Sequence, residues 1–303
     1  RRGEWEERSP GIHYFNGDSW STTGEGTDEA VLYSLESGTT FSTGYYDGED
    51  GFGGGDFIKC QAGVCETDVV DVAHDFTKVW ASAENDIWIG GRKYAARPYL
   101  MRYNGETWNS MEIPGYPDVC EGDSACPTIL ITAVWGWAAA DVWVLGFDEA
   151  TEVSKFYHYN GESFTVTLEV EAELYLLHAL GTQHVYFTSI KNINPGDDEF
   201  YASNLHHFSG DELIPMIPPE DEESIEKFRQ MSGVSPSDLY LIGGGSHRFT
   251  NKVWHYDGEA WSRFDTPEVD TGPHEARDIL TLGSDHLYVV EEDGVYKATC
   301  ESE

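Results

Sequence analysis

Apolar and aromatic residues in this chain come in short runs closed by Gly, Asn or Asp, and no run keeps a helical period for long. In "DIWIGG" (86–91) and "DVWVLG" (141–146) they are nearly continuous, as in strands covered on both faces. A short apolar stretch and a tight turn precede each, and a variable loop and then a hairpin follow. The hairpins share one heptapeptide: "YFNGDSW" (14–20), "RYNGETW" (102–108), "HYNGESF" (158–164), "HFSGDEL" (207–213) and "HYDGEAW" (255–261). Asn-Gly or Asp-Gly between aromatic residues predicts two antiparallel strands joined by a two-residue type I′ turn.

The pattern is periodic. With a degenerate copy in "KCQAGVC", the turn glycines Gly17, Gly63, Gly105, Gly161, Gly210 and Gly258 recur every 42 to 56 residues. A column of aromatics, Phe41, Trp88, Trp143, Tyr186, Tyr240 and Tyr288, keeps step with them. Strand signals repeating at about 40–50 residues predict a β-propeller with one four-stranded antiparallel blade per repeat. The expected fold is all-β, one domain over 1–303, with six blades (seven as the alternative). The repeats lie near 31–67, 79–113, 133–170, 178–215, 231–265 and 279–300. The last supplies three strands, so the segment 12–23 is expected to close the ring, although "GIHYF" already reads as a third strand.

The unit "DLYLIGGGSHRFTNKVWHYDGEAW" resembles a kelch repeat through its Gly-Gly pair and the spacing of Tyr256 and Trp261. "DIWIGG…MRYNGETW" resembles it through Gly90, Gly91, Tyr103 and Trp108. "DVWVLG…HYNGESF" is similar to the D-V-W-x-x-G…Y-D-G-x-x-W propeller repeats of secreted bacterial surface proteins. The resemblance covers nearly the whole chain and implies a fold, not an activity. Kelch-like propellers can carry copper-radical oxidase chemistry, but the Tyr, Cys and His placements it needs are not recognisable in this sequence.

Charge changes the picture of partners. The chain has 55 Asp and Glu against 18 Lys and Arg, a formal net charge of −37. Phosphate backbones and anionic membranes need clustered cations, so nucleic acid and direct membrane insertion are not expected. No stretch nears the roughly 18 apolar residues of a spanning helix. The spread of the acids suits a saline solvent first and cation sites second. The chain starts at Arg1 with neither an initiator Met nor a leader pattern, which reads as a mature or trimmed form.

Of five cysteines, Cys60 with Cys65 and Cys120 with Cys126 are spaced for two local disulfides, and Cys300 is left over. Disulfides imply an extracytoplasmic, secreted or cell-surface location. In "YYDGEDGFGGGDF" (45–57), Asp47, Glu49, Asp50 and Asp56 offer hard oxygen ligands for calcium on a glycine-rich loop, without the EF-hand spacing. "NPGDDEF" (194–200) and "DVCEGDSAC" (118–126) are lesser calcium candidates. "PPEDEESIEKFRQM" (218–231) reads as a short helical excursion.

The column Asp86, Asp141 and Asp238 sits beside tight turns, where an Asx hydrogen bond to local backbone is the expected role. The aromatic columns are expected to pack between blades rather than to form a sugar platform. His206 and His207 are adjacent on a strand and point to opposite faces, a poor metal arrangement. No nucleophile elbow, P-loop lysine or H-E-x-x-H motif is present, so no catalytic residue is assigned. The expected function is non-enzymatic recognition or adhesion through loop faces, with a glycan or a protein as partner. A structural subunit of an extracellular assembly and a glycan-cleaving enzyme are the alternatives.

Overall fold

The structure is a computed structural model. It describes residues 12–15, 20–23, 28–35, 37–45, 55–61, 64–69, 74–93, 98–116, 129–181, 183–192, 201–216, 227–244, 252–264, 278–282, 286–291 and 294–299. Every regular element among them is a strand. β1 (Ile12–Phe15) pairs with β2 (Trp20–Thr23) alone. The first full sheet holds β3 (Asp28–Ser34), β4 (Thr40–Tyr45), β5 (Gly55–Gln61) and β6 (Val64–Val69). The second holds β7 (His74–Ala83), β8 (Asp86–Lys93), β9 (Pro98–Tyr103) and β10 (Trp108–Ser110). The third holds β11 (Ile129–Ala138), β12 (Asp141–Asp148), β13 (Val153–Tyr159) and β14 (Phe164–Val170). The fourth holds β15 (Glu173–Ala179), β16 (Val185–Asn192), β17 (Tyr201–Phe208) and β18 (Leu213–Met216). The fifth holds β19 (Lys227–Ser235), β20 (Asp238–Gly244), β21 (Lys252–Tyr256) and β22 (Trp261–Phe264). β23 (Asp278–Leu282), β24 (His286–Glu291) and β25 (Gly294–Thr299) form a three-stranded sheet.

Each full sheet is an antiparallel meander in chain order, a blade. Five such blades are present among the described residues, not the six or seven expected, and the closure through 12–23 is not shown. Phe15 pairs with Trp20 as Tyr103 pairs with Trp108, so β1 and β2 repeat the hairpin of the third and fourth strands of the second blade. The helical reading of 218–231 is also corrected at its C-terminal end. Residues 227–231 open β19, whose Phe228 and Met231 are buried, and 217–226 lie outside the described residues.

Burial follows strand rank. In the third blade the second strand β12 is buried at every position after Asp141, whereas the outermost strand β14 is mostly exposed. A second strand has neighbours on both faces and so tolerates the continuous apolar run "VWVLGF". The innermost strands β7, β11 and β19 each carry two register shifts, at matching places. Such bulges bend a strand and increase its twist.

The strands group into two compact units, residues 1–170 and 171–303. In the first, Trp88 lies edge-on to Tyr159 and Phe164 of the next blade, at 5.2 and 6.0 Å between centroids. Gly90 is required there: a Cβ would meet Ile131 Cγ2 of that blade at 2.6 Å. In the second unit, Tyr186, Leu205, Phe228, Met231, Leu239, Leu241 and Trp254 form a core across the fourth and fifth blades. Trp88 and Tyr186 are thus packing elements between blades, as the column suggested.

Candidate functional site

The recurring heptapeptide builds one device several times. Asn104 Oδ1 accepts the N–H groups of Glu106 and Thr107 at 3.0 and 2.9 Å, and Tyr103 donates its hydroxyl to Gly105 O at 3.0 Å. Asn160 with Tyr159 and Asp257 with Tyr256 repeat both interactions. The turns are four-residue Asx turns, not type I′. Gly105, Gly161 and Gly258 take φ of +95°, +98° and +96°, while the residue before each does not. In the first blade Cys60 and Cys65 take the cross-strand places of Tyr103 and Trp108 and are joined by a disulfide, as the spacing suggested. Cys120, Cys126 and Cys300 lie outside the described residues.

A second device involves the Asp column, and here local backbone capping is not the role found. Asp86 Oδ1 accepts Arg102 Nε at 2.6 Å, and Asp86 also accepts the Ser82 hydroxyl. Asp141 Oδ1 lies 2.8 Å from His158 Nε2, and Asp238 Oδ1 lies 2.9 Å from His255 Nε2. Each base stands on the third strand, directly across from the strand-two aromatic, and lies over its ring. Arg102 is 5.0 Å above Trp88, and His158 and His255 stack on Trp143 and Tyr240 at 4.5 Å. Acid, aromatic and base thus occupy three fixed repeat positions. The sequence already shows this column as Lys59, Arg102, His158, His207 and His255, but only cross-strand register brings the three together. In the fourth blade the acid is replaced by His184, whose Nδ1 lies 3.1 Å from His207 Nε2.

These triplets bury the aromatic faces, so the candidate cleft lies elsewhere. It is a cavity of about 540 Å³ between the first and second blades. Phe57, Tyr103 and Trp108 give it an aromatic wall, with Phe57 and Trp108 meeting edge-on at 5.1 Å. Lys59, Glu66, Thr67, Glu84 and Asn85 give it polar groups. Glu84 comes from the turn before β8 and reaches back to the first blade, accepting from Thr39 Oγ1 at 2.8 Å, Lys59 Nζ at 2.9 Å and Gln61 Nε2 at 3.2 Å. The hydrogen bonds from Lys59 and Thr39 hold its carboxyl below the usual range. The glycine of the Asx turn, Gly105, packs against Asn85 and so fixes one side of this cleft.

The calcium expectation falls largely elsewhere. Asp47, Glu49 and Asp50 lie outside the described residues, and Asp56 sits in the ladder between Gly44 and Val69. Residues 193–200 and 117–128 also lie outside them. Among the described residues no group of three or more His, Cys, Asp or Glu side chains converges as a metal site, and no helix is long and apolar enough to cross a membrane.

No protein-family model matches the chain, and no curated protein matches it in sequence. Solved structures do match in fold. The GH74 xyloglucanase from Xanthomonas campestris aligns at 16% identity with a TM-score of 0.59, over 86% of this chain and 43% of its own. The β-propeller domain of the Trilobed protease from Pyrococcus furiosus aligns at 12% identity and a TM-score of 0.55, over 90% of this chain and 83% of its own. The six-bladed fucose-recognising lectin of Aleuria aurantia aligns at 11% identity and 0.53, over 89% and 93%. The chain is an all-β propeller with four antiparallel strands per blade. At these identities the likeness carries the fold alone.

Proposed function

We propose that this chain is a non-enzymatic, extracellular carbohydrate-recognition propeller of kelch-like repeats in one domain, with the cleft between its first two blades as a binding site. The observation that carries this is the composition of that cleft. Aromatic faces of Trp108 and Tyr103 stand beside a carboxylate, a lysine, an amide and a hydroxyl. A sugar ring presents apolar C–H faces and a rim of hydroxyls, and needs such a wall with a few fixed polar partners. Glu84 is held by three donors from the first blade, so its acceptor geometry is set before a ligand arrives. The fucose recognition of the Aleuria aurantia lectin and the α-methyl fucoside complex of the SapL1 lectin favour this ligand class, on similar folds. The Cys60–Cys65 disulfide favours an oxidising compartment.

The test is a glycan array probed with the whole chain, with and without EGTA. Saturable binding to a defined glycan that Trp108→Ala and Asn85→Ala both weaken supports the reading. Loss of the signal in EGTA would support a calcium requirement for binding. An array with no signal above background overturns the proposal, and release of reducing sugar overturns its non-enzymatic half.

A further inference from the structure

The acid–aromatic–base triplet changes character in the fourth blade. Where the second, third and fifth blades place Asp86, Asp141 and Asp238, the fourth has His184 at the end of the turn that opens β16. Its imidazole faces His207 on β17. His184 Nδ1 and His207 Nε2 are 3.1 Å apart, the ring centroids are 5.2 Å apart, and the two planes are within 7° of each other. Both rings are half-buried rather than sealed. His207 is held from behind by Tyr186, stacked at 5.1 Å, and its Nε2 also lies 2.9 Å from Gln183 O.

We propose that His184 Nδ1 and His207 Nε2 form a cross-strand binding site for a borderline divalent ion such as Cu²⁺ or Zn²⁺. Two imidazole nitrogens bound at about 2.0–2.1 Å in a tetrahedral site stand about 3.3 Å apart. The observed separation therefore has to open by only a few tenths of an ångström. Imidazole suits these ions and is a poor ligand for calcium. Gln183 O borders the same nitrogen and is a third donor within reach, with water completing the shell. In the free protein His207 Nε2–H donates to Gln183 O, since a carbonyl oxygen only accepts, and His184 Nδ1 faces the same nitrogen. Binding moves that proton to the far nitrogen of its own ring, leaving two neutral imidazoles with lone pairs on the ion. In the third and fifth blades the equivalent imidazole is engaged by a carboxylate. The net charge of −37 raises the local concentration of cations around the whole chain.

The experiment uses the whole chain at neutral pH, with Cu²⁺ followed by electron paramagnetic resonance and Zn²⁺ by calorimetry. The expected result is saturable binding whose copper spectrum carries two equatorial nitrogens. His184→Asp reproduces the arrangement of two other blades and should fold. It should reduce the signature to one nitrogen and weaken Zn²⁺ binding by at least about tenfold. His207→Gln should do the same, with unchanged melting as the check on folding. No saturable binding, or a spectrum and affinity that neither variant changes, would overturn the site.

Discussion

His158 lies flat against Trp143, ring centroids 4.5 Å apart and planes 25° from parallel, while Asp141 holds its far nitrogen at 2.8 Å. The same triplet recurs at Tyr240, His255 and Asp238, and with Arg102 over Trp88. Its members differ in burial, and burial decides what each contributes. The Asp86 side chain is only 10% exposed and Arg102 24%, against 32% and 30% for Asp141 and His158. Removing one partner of a mostly buried pair leaves an uncompensated charge, so Asp86→Ala should cost about 2 kcal/mol or more. Asp141→Ala should cost about 1 kcal/mol or less. Urea unfolding of the two variants side by side is the check; equal losses would refute the ranking.

The turn glycines make a sharper case. Gly161 has φ of +98°, and a Cβ there would sit 2.8 Å from the Ala140 Cβ. Gly161→Ala therefore meets backbone strain and a steric clash, and should destabilise by about 2 kcal/mol. Asn160→Ala, which loses only the two backbone caps, should cost about 1 kcal/mol. Thermal melts that reverse this order would show that the hairpin does not rest on the turn before it.

Acidification should weaken the fold before any carboxylate is protonated. His178, His206 and His207 all have pKa values pushed down from 6.5, first of all by burial. A base with a lowered folded pKa binds protons better when unfolded. Its contribution is thus complete above pH 6.5 and is lost as pH falls below that value toward the folded pKa. Denaturation midpoints should drop between pH 7.5 and 5.5, and the slope should be shallower in His178→Gln. A flat profile over that range would exclude these rings as its source.

Reducing the Cys60–Cys65 bond should be a modest, local event. The loop it closes is short, with a sequence separation of 5, so the chain-entropy contribution is about 2 kcal/mol. Thermal melts with and without dithiothreitol, alongside Cys60→Ala/Cys65→Ala, should show matching shifts of that order. Global unfolding on reduction would contradict it.

Much of this architecture is legible in the letters. The heptapeptide and the aromatic column mark the hairpins and second strands because turns and strand periodicity are local, set by residues a few positions apart. The turn type is not legible in the same way. Asn-Gly serves a two-residue turn or an Asx turn equally well, and which one forms is seen only in the register, Tyr103 pairing with Trp108 across four residues. The acids, aromatics and bases were also visible as columns, but not as partners. Asp86 and Arg102 are 16 residues apart, and nothing local favours that contact over an Asx cap.

What the sequence determined alone is therefore the repeat: strands, their order within a blade, the turn glycines and the Cys60–Cys65 pairing. These depend on short-range sterics and on alternation along a single strand. Tertiary structure decided the rest. Among the described residues five blades are complete, and β1 and β2 pair with each other. Likewise Glu84 reaches the first blade, and His184 meets His207, only once cross-strand and inter-blade register bring side chains together that the chain itself keeps far apart.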